Sequence, residues 1–157
     1  MGQENPARVD DPAVSTLTAP RGPRRARVAV TAAFVTQGLL FASWAPHIPI
    51  IKARLGLSDA ELGTALLGAP AGSVVGLTIA GWLLPRVGSR SMMQITLVGY
   101  CTFGIFVGFS QSLPVLALTL GLWGAGQGSL GVAMNTQAVA VEHALGKPIM
   151  ASLHGSW

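Results

Sequence analysis

Three long stretches of the chain contain no Asp, Glu, Lys or Arg. They are Val28–Ile51, Leu62–Pro85 and Ser91–Val141, and each is rich in apolar residues. A bilayer-spanning helix needs about 20 predominantly apolar residues, so the first two stretches are each long enough for one span. The third is long enough for two, with a turn at Ser110–Pro114. The pattern therefore predicts four membrane-spanning helices.

The apolar residues form continuous runs and lack the alternation of a half-buried surface, which favours an all-α membrane protein. The predicted spans cover about 28–46, 62–84, 92–109 and 117–139. Ser58 and Glu61 form an S-x-x-E capping box that predicts the start of the second helix. The apolar segment from Ile149 to Trp157 resembles the start of a fifth helix, so a truncated chain is the expectation.

Composition and charge agree with a membrane protein. Half of the residues are hydrophobic and 10% are charged, against about 25% in soluble domains. Residues 1–27 are rich in proline and charge and predict a disordered cytoplasmic tail. The arginines of this tail fit the positive-inside rule and place the N-terminus in the cytoplasm, with the helices in the plasma (inner) membrane. Because they precede the first span, the net charge of +4 indicates contact with the lipid bilayer rather than nucleic acid.

Small residues recur at every fourth position of the second span. They are Thr64, Gly68, Gly72, Gly76 and Ala80. Such a stripe lets another helix backbone approach closely, in either a static contact or a moving interface. Pro70 lies within the same span and predicts a kink.

Polar amides and one aromatic residue at membrane depth are candidates for lining a substrate cavity. They are Gln37, Trp44, Gln127, Asn135 and Gln137. Each amide either faces a watery cavity or forms interhelical hydrogen bonds, and the sequence leaves both alternatives open. The single cysteine, Cys101, lies within a span, and no set of nucleophile, base and acid is evident. The sequence therefore predicts no enzyme activity, no cofactor and no metal site.

The turn after the second span resembles a known sequence motif. The motif G-x-x-x-D-R-x-G-R-R is matched at Gly81, Arg86, Gly88 and Arg90. Pro85 stands in place of the motif's Asp, and Ser89 stands in place of one of its basic residues. The pattern resembles motif A of the major facilitator superfamily, a gating loop that helps to lock the two halves of the transporter. Phe41–Pro49, Met134–Gln137 and His154–Trp157 resemble the branch of rhizopine and sugar permeases.

The resemblance implies an N-terminal part of a transporter with two six-helix halves that rock about a central site. In that family helices 1 and 4 line the cavity. The expected function is alternating-access transport of a small solute, driven by an ion gradient and completed by the remaining helices. A sugar-like solute and H⁺ as the coupling ion stay open candidates. The alternatives are a small membrane scaffold protein and a four-helix multidrug exporter, although the first span lacks the carboxylate that such exporters use.

Overall fold

The computed structural model describes residues 22–157, and every regular element within them is an α-helix. In chain order the helices are α1 (Pro23–Trp44), α2 (His47–Leu55), α3 (Asp59–Leu66), α4 (Gly68–Val87), α5 (Ser89–Gly108), α6 (Leu113–Leu145) and α7 (Met150–His154). The predicted all-α fold is confirmed. Residues 1–21 of the predicted tail lie outside the described residues.

Four helical segments are long and apolar enough to cross a membrane. They are Pro23–Trp44, Asp59–Val87, Ser89–Gly108 and Leu113–Leu145. The four predicted spans are therefore present among the described residues, and the chain is a multi-pass membrane protein. The segment that was predicted to start a fifth helix contains the short helix α7.

Helix α1 begins earlier than the predicted span. The helix starts at Pro23. It therefore includes Arg24, Arg25 and Arg27, which the sequence pattern assigns to the tail. Proline is favoured at the first helical position, where its fixed φ suits the helix and its missing N–H is not needed. Charge marks where a helix leaves the hydrocarbon region, whereas the hydrogen-bonded helix itself continues beyond that point.

The second span is capped and then interrupted. The Glu61 amide donates to the Ser58 hydroxyl at 3.3 Å, and the Ser58 amide donates to a Glu61 carboxylate oxygen at 2.9 Å, which completes the capping box. The helical hydrogen-bond pattern is interrupted at Leu67, between α3 and α4, although Leu67 keeps a right-handed helical conformation. Pro70 lacks the N–H that would bond the carbonyl of Leu66, so the break lies where proline withholds a donor.

Helix α4 packs directly against the backbone of α6. A Cβ added to Gly68 would lie 2.6 Å from the Ala117 carbonyl oxygen. One added to Gly72 or Gly76 would overlap backbone atoms of α6 even more closely. The contact is reciprocal, since side chains at Gly124 and Gly128 would overlap the backbone of α4. The small-residue stripe thus faces a second row of small residues on α6.

Helix α6 is also the centre of the buried core. Its Ser129 hydroxyl donates to the Gly76 carbonyl at 2.8 Å, which fixes the register against α4. On other faces it packs against α5 and α1. Its fully buried apolar side chains include Leu116, Leu120, Leu130 and Met134. One long helix therefore holds the other three spans together.

We expect Gly72→Ala and Gly99→Ala to change stability in opposite directions. A methyl group at Gly72 meets the rigid backbone of Gly121, whereas nothing lies within 4 Å of a Cβ at Gly99. Overpacking costs about 1–3 kcal/mol, while alanine in an open helical position gains roughly 0.5–1 kcal/mol over glycine. Thermal unfolding and folded yield of the full-length protein measure both effects. Equal tolerance of the two substitutions would contradict the close contact.

Candidate functional site

Four aromatic side chains meet where α1, α5 and α6 converge. The indole of Trp123 on α6 stacks on the Tyr100 ring of α5, with centroids 5.3 Å apart and planes 9° apart. Phe41 of α1 stacks near the same indole at 6.2 Å, and Trp44 meets it edge-on at 5.9 Å. Offset and edge-to-face aromatic contacts of this kind are each favourable beyond the area they bury. The cluster therefore fixes the position of the Trp123 indole.

A cavity of about 140 Å³ lies beside this cluster. It opens between the C-terminal ends of α1 and α5 and the N-terminal half of α6. We name it the Trp123 pocket, after a residue that is only 2% exposed. The side chains or backbone that line it include Leu40, Ser43, Trp44, His47, Gly104 and Trp123. The Trp123 indole nitrogen, Nε1, is buried and has no hydrogen-bond partner within residues 22–157.

Of the predicted cavity residues, Trp44 belongs to this cluster, Gln37 contacts it, and Gln127 follows it along α6. Gln37 is buried, and its backbone carbonyl accepts a hydrogen bond from the Tyr100 hydroxyl at 3.4 Å. Trp44 lines the Trp123 pocket. Gln127 is partly buried and lies one helical turn beyond Trp123 on α6. The structure thus joins Gln37 and Trp44 through Tyr100 and Trp123, but no hydrogen bond within residues 22–157 links Gln37 to Gln127.

The other two predicted cavity residues lie near the opposite end of α6 and have protein partners. The Ser89 hydroxyl donates to the side-chain carbonyl of Gln137 at 2.7 Å, which connects the start of α5 to α6. The Asn135 amide donates to the Gly131 carbonyl of its own helix at 2.8 Å. Gln137 therefore takes part in an interhelical hydrogen bond, the alternative that the sequence left open beside cavity lining.

The residues that match the transporter motif lie where α4 ends and α5 begins, around the single linking residue Gly88, and we call this junction, residues 81–90, the α4–α5 loop. Gly88 has a φ of 80°, a backbone conformation that favours glycine, and it separates the two helices. The Arg86 guanidinium lies 4.1 Å from the centre of the Trp82 ring and donates to the Trp82 carbonyl at 2.6 Å. Arg90 is exposed, and a Cβ at Gly81 would face open space. The loop is therefore held by Trp82 and by the Ser89–Gln137 hydrogen bond.

Sequence reasoning missed Tyr100, Trp123 and the role of Ser89. Tyr100 and Trp123 lie in apolar runs, and only packing stacks them on each other and brings Trp123 onto Phe41 and Trp44 of α1. In the sequence Ser89 is evident only as a departure from the motif, and its hydrogen bond to Gln137 depends on the packing of α5 against α6. Within the described residues no group of three His, Cys, Asp or Glu side chains could hold a metal ion.

Comparison with known proteins identifies the family. The sequence model of the Major Facilitator Superfamily matches residues 6–145. An uncharacterized MFS-type transporter of Yersinia pestis is 36% identical over 129 residues, which are 82% of this chain and 34% of that protein. An uncharacterized transporter of Sinorhizobium fredii is 30% identical over 128 residues, 82% of this chain and 34% of that protein.

The membrane protein MosC of Rhizobium meliloti is 34% identical over 127 residues, 81% of this chain and 31% of its own length. The chain thus spans about a third of the length of the curated relatives it matches. No solved structure matches the chain significantly. The family match covers most of the sequence. It agrees with the four apolar helices and with the motif A-like turn between the second and the third, so the chain belongs to the major facilitator superfamily.

Proposed function

We propose that the chain contributes four helices to a secondary transporter that moves a small solute across the plasma (inner) membrane by alternating access. The observation that carries the proposal is the match to the Major Facilitator Superfamily over residues 6–145. Two of the relatives are named as transporters. In the proposed protein the remaining helices complete the first half and supply the second half that rocks against it.

The proposed substrate cavity lies between α1 and α6. Gln37 on α1 and Gln127 on α6 are its central polar residues, with Trp44 as an aromatic wall. A glutamine amide both donates and accepts hydrogen bonds, which suits a neutral, sugar-like solute with hydroxyl groups. Asn135 and Gln137 lie two to three turns beyond Gln127 and would stand at the mouth near the α4–α5 loop.

The α4–α5 loop is the proposed gating element. Because Pro85 replaces the motif's Asp, the lock that this carboxylate would make with the other half is absent from this loop. The hydrogen bond from Ser89 to Gln137 ties the loop to α6 instead. No Asp or Glu lies between Leu62 and Val141. Coupling to H⁺ would therefore use a protonatable group outside this stretch.

The proposed topology places the N-terminus in the cytoplasm. Arg24, Arg25 and Arg27 at the start of α1 lie on the same side as Arg86 and Arg90 in this topology, which follows the positive-inside rule. At the opposite ends of the helices, α2 contacts the α5–α6 turn. There the Arg54 guanidinium donates a hydrogen bond to the Ser110 carbonyl at 2.9 Å. The α2 segment and this turn would face the outside.

Cysteine labelling tests this topology in a full-length Cys101→Ala background. Ala60→Cys and Lys147→Cys both occupy exposed positions, one near each predicted membrane surface. We expect an impermeant thiol reagent added to intact cells to label Ala60→Cys but not Lys147→Cys. Permeabilised cells should label both. Labelling of Lys147→Cys alone in intact cells would reverse the orientation.

The cavity proposal predicts a substrate-affinity effect at Gln37 and Gln127. The variants Gln37→Ala and Gln127→Ala should raise the KM for uptake of a radiolabelled neutral sugar or polyol while folded yield is kept. If the amides only joined helices, their loss would cost stability, about 0.6 kcal/mol on average and at most about 1.7 kcal/mol. Uptake by the full-length protein, normalised to folded protein, distinguishes the two roles.

The matched control is Gln94→Ala, because Gln94 is an exposed glutamine on α5. It should leave KM unchanged. Unchanged kinetics in both Gln37→Ala and Gln127→Ala would reject the cavity assignment, as would failure of small water-soluble reagents to reach cysteines at both positions.

A further inference from the structure

We propose that His154 is an H⁺-binding residue of the transporter, which takes up H⁺ from water on one side of the membrane and releases it on the other. The proposal rests on the proposed transport function and deepens it, because it assigns the binding of the coupling ion to a residue of this chain. When H⁺ binds, the neutral imidazole gains one N–H bond and one positive charge, and release returns both to water.

The first argument is the place of His154 in the fold. The segment that contains α7 runs alongside α1 in the same direction. The His154 ring meets the Phe34 ring edge-on, with centroids 5.3 Å apart and planes 81° apart. Further along, the Trp157 ring lies 5.9 Å from the Phe41 ring, and a Cβ at Gly38 would overlap the Trp157 backbone. These contacts fix the height of His154 along α1.

That height lies inside the predicted first span. Phe34 follows Arg27, the last charged residue before the span, by seven residues, which is about 10 Å of helix. The hydrocarbon region is about 30 Å thick, so His154 would lie roughly a third of the way across it. Ionisable side chains at such depth are costly, face the bundle interior or a water-filled cavity, and mark ion pathways. His154 is exposed in this part of the chain, which leaves room for such a cavity beside its ring.

The second argument is that His154 differs from the other protonatable side chains of residues 22–157. Histidine is the side chain that ordinarily titrates between about pH 5 and 8. The other described histidines and the carboxylates all lie at or near the ends of the four membrane-crossing segments. They are His47, Asp59, Glu61, Glu142 and His143. His154 is therefore the one described residue that combines membrane depth with titration near neutral pH.

The helices packed against α7 offer the His154 ring no free carboxylate. These helices are α1 and α6. On α1 the nearest charged residue is Arg27, because the predicted first span contains no Asp, Glu, Lys or Arg. On α6 the acid is Glu142, whose carboxylate already accepts hydrogen bonds from two backbone amides at the start of α7, at 2.6 and 3.0 Å. His143 and Lys147 lie in the last turn of α6 and in the turn that follows it. Within residues 22–157 no fixed negative charge therefore holds H⁺ on His154.

The third argument links hydration of the ring to the transport cycle. Exclusion of water disfavours the charged form of an imidazole, because a low-dielectric surrounding does not replace its hydration. His154 would therefore be protonated while the cavity beside it is open to water, and neutral when that cavity closes. A proton that binds one conformation better than the other shifts the equilibrium between them. Binding on one side and release on the other would then couple the H⁺ gradient to the rocking of the two halves.

A pH-jump experiment tests the proposal without a known solute. The full-length protein is reconstituted into vesicles on a solid-supported electrode, and the bath is stepped from about pH 8 to about pH 5. We expect a transient displacement of charge that protein-free vesicles do not give, with the midpoint of its amplitude between about pH 5 and 8. His154→Gln cannot be protonated in this range and should reduce the displacement to the level of protein-free vesicles.

The matched controls are His47→Gln and His143→Gln, since both histidines are exposed and lie near opposite membrane surfaces in the proposed topology. Each should keep the full displacement. No displacement by the unmodified protein, full displacement by folded His154→Gln, or an equal loss in either control would overturn the proposal. Thermal unfolding checks that each variant folds. If His154→Gln does not fold, His154→Asn replaces it and should show the same loss.

Uptake of a radiolabelled neutral sugar or polyol by the same vesicles reports separately on the proposed function. Uptake without a His154-dependent displacement would overturn the H⁺-binding proposal and leave solute transport standing. A His154-dependent displacement without uptake would count against the proposed solute transport and support H⁺ binding at His154.

Discussion

The direct contact between the backbones of α4 and α6 is the constraint on which the rest of this structure depends. In a membrane the surrounding lipid is as apolar as the side chains, so helices gain most from close packing and interhelical hydrogen bonds. Gly72 and Gly76 on one helix and Gly124 and Gly128 on the other remove the side chains that would separate the backbones. The hydrogen bond from Ser129 to the Gly76 carbonyl then fixes the register of the pair.

Because the glycines occupy one face of α6, another face is available for large side chains. Trp123 lies on that other face and packs against Tyr100 of α5 and Phe41 of α1. The same helix therefore forms a tight backbone contact with α4 and an aromatic cluster with α1 and α5. The cluster fixes the side chains that bound the Trp123 pocket, which makes the pocket a consequence of the packing.

The loop between α4 and α5 shows how a departure from a family motif is accommodated. Pro85 stands where the resembled motif has a carboxylate, and the Arg86 guanidinium packs on the Trp82 ring. Ser89 replaces a basic residue and bonds to Gln137. A neutral hydrogen bond at this partly buried site requires no charge to be moved out of water, and it holds the loop to α6.

The sequence by itself determined the four apolar helices, their approximate bounds and the small-residue stripe, because the length of charge-free runs and a four-residue period are local properties. It also determined the family through the α4–α5 motif. Helix ends were less predictable: Arg24 to Arg27 are helical, since hydrogen bonding continues past the point where charge begins. Only the tertiary structure decided which helix faces the stripe, that Gln137 bonds Ser89, and that Trp123 is buried among the aromatic side chains of α1 and α5. These depend on the register and rotation of helices far apart in sequence, which no local pattern contains.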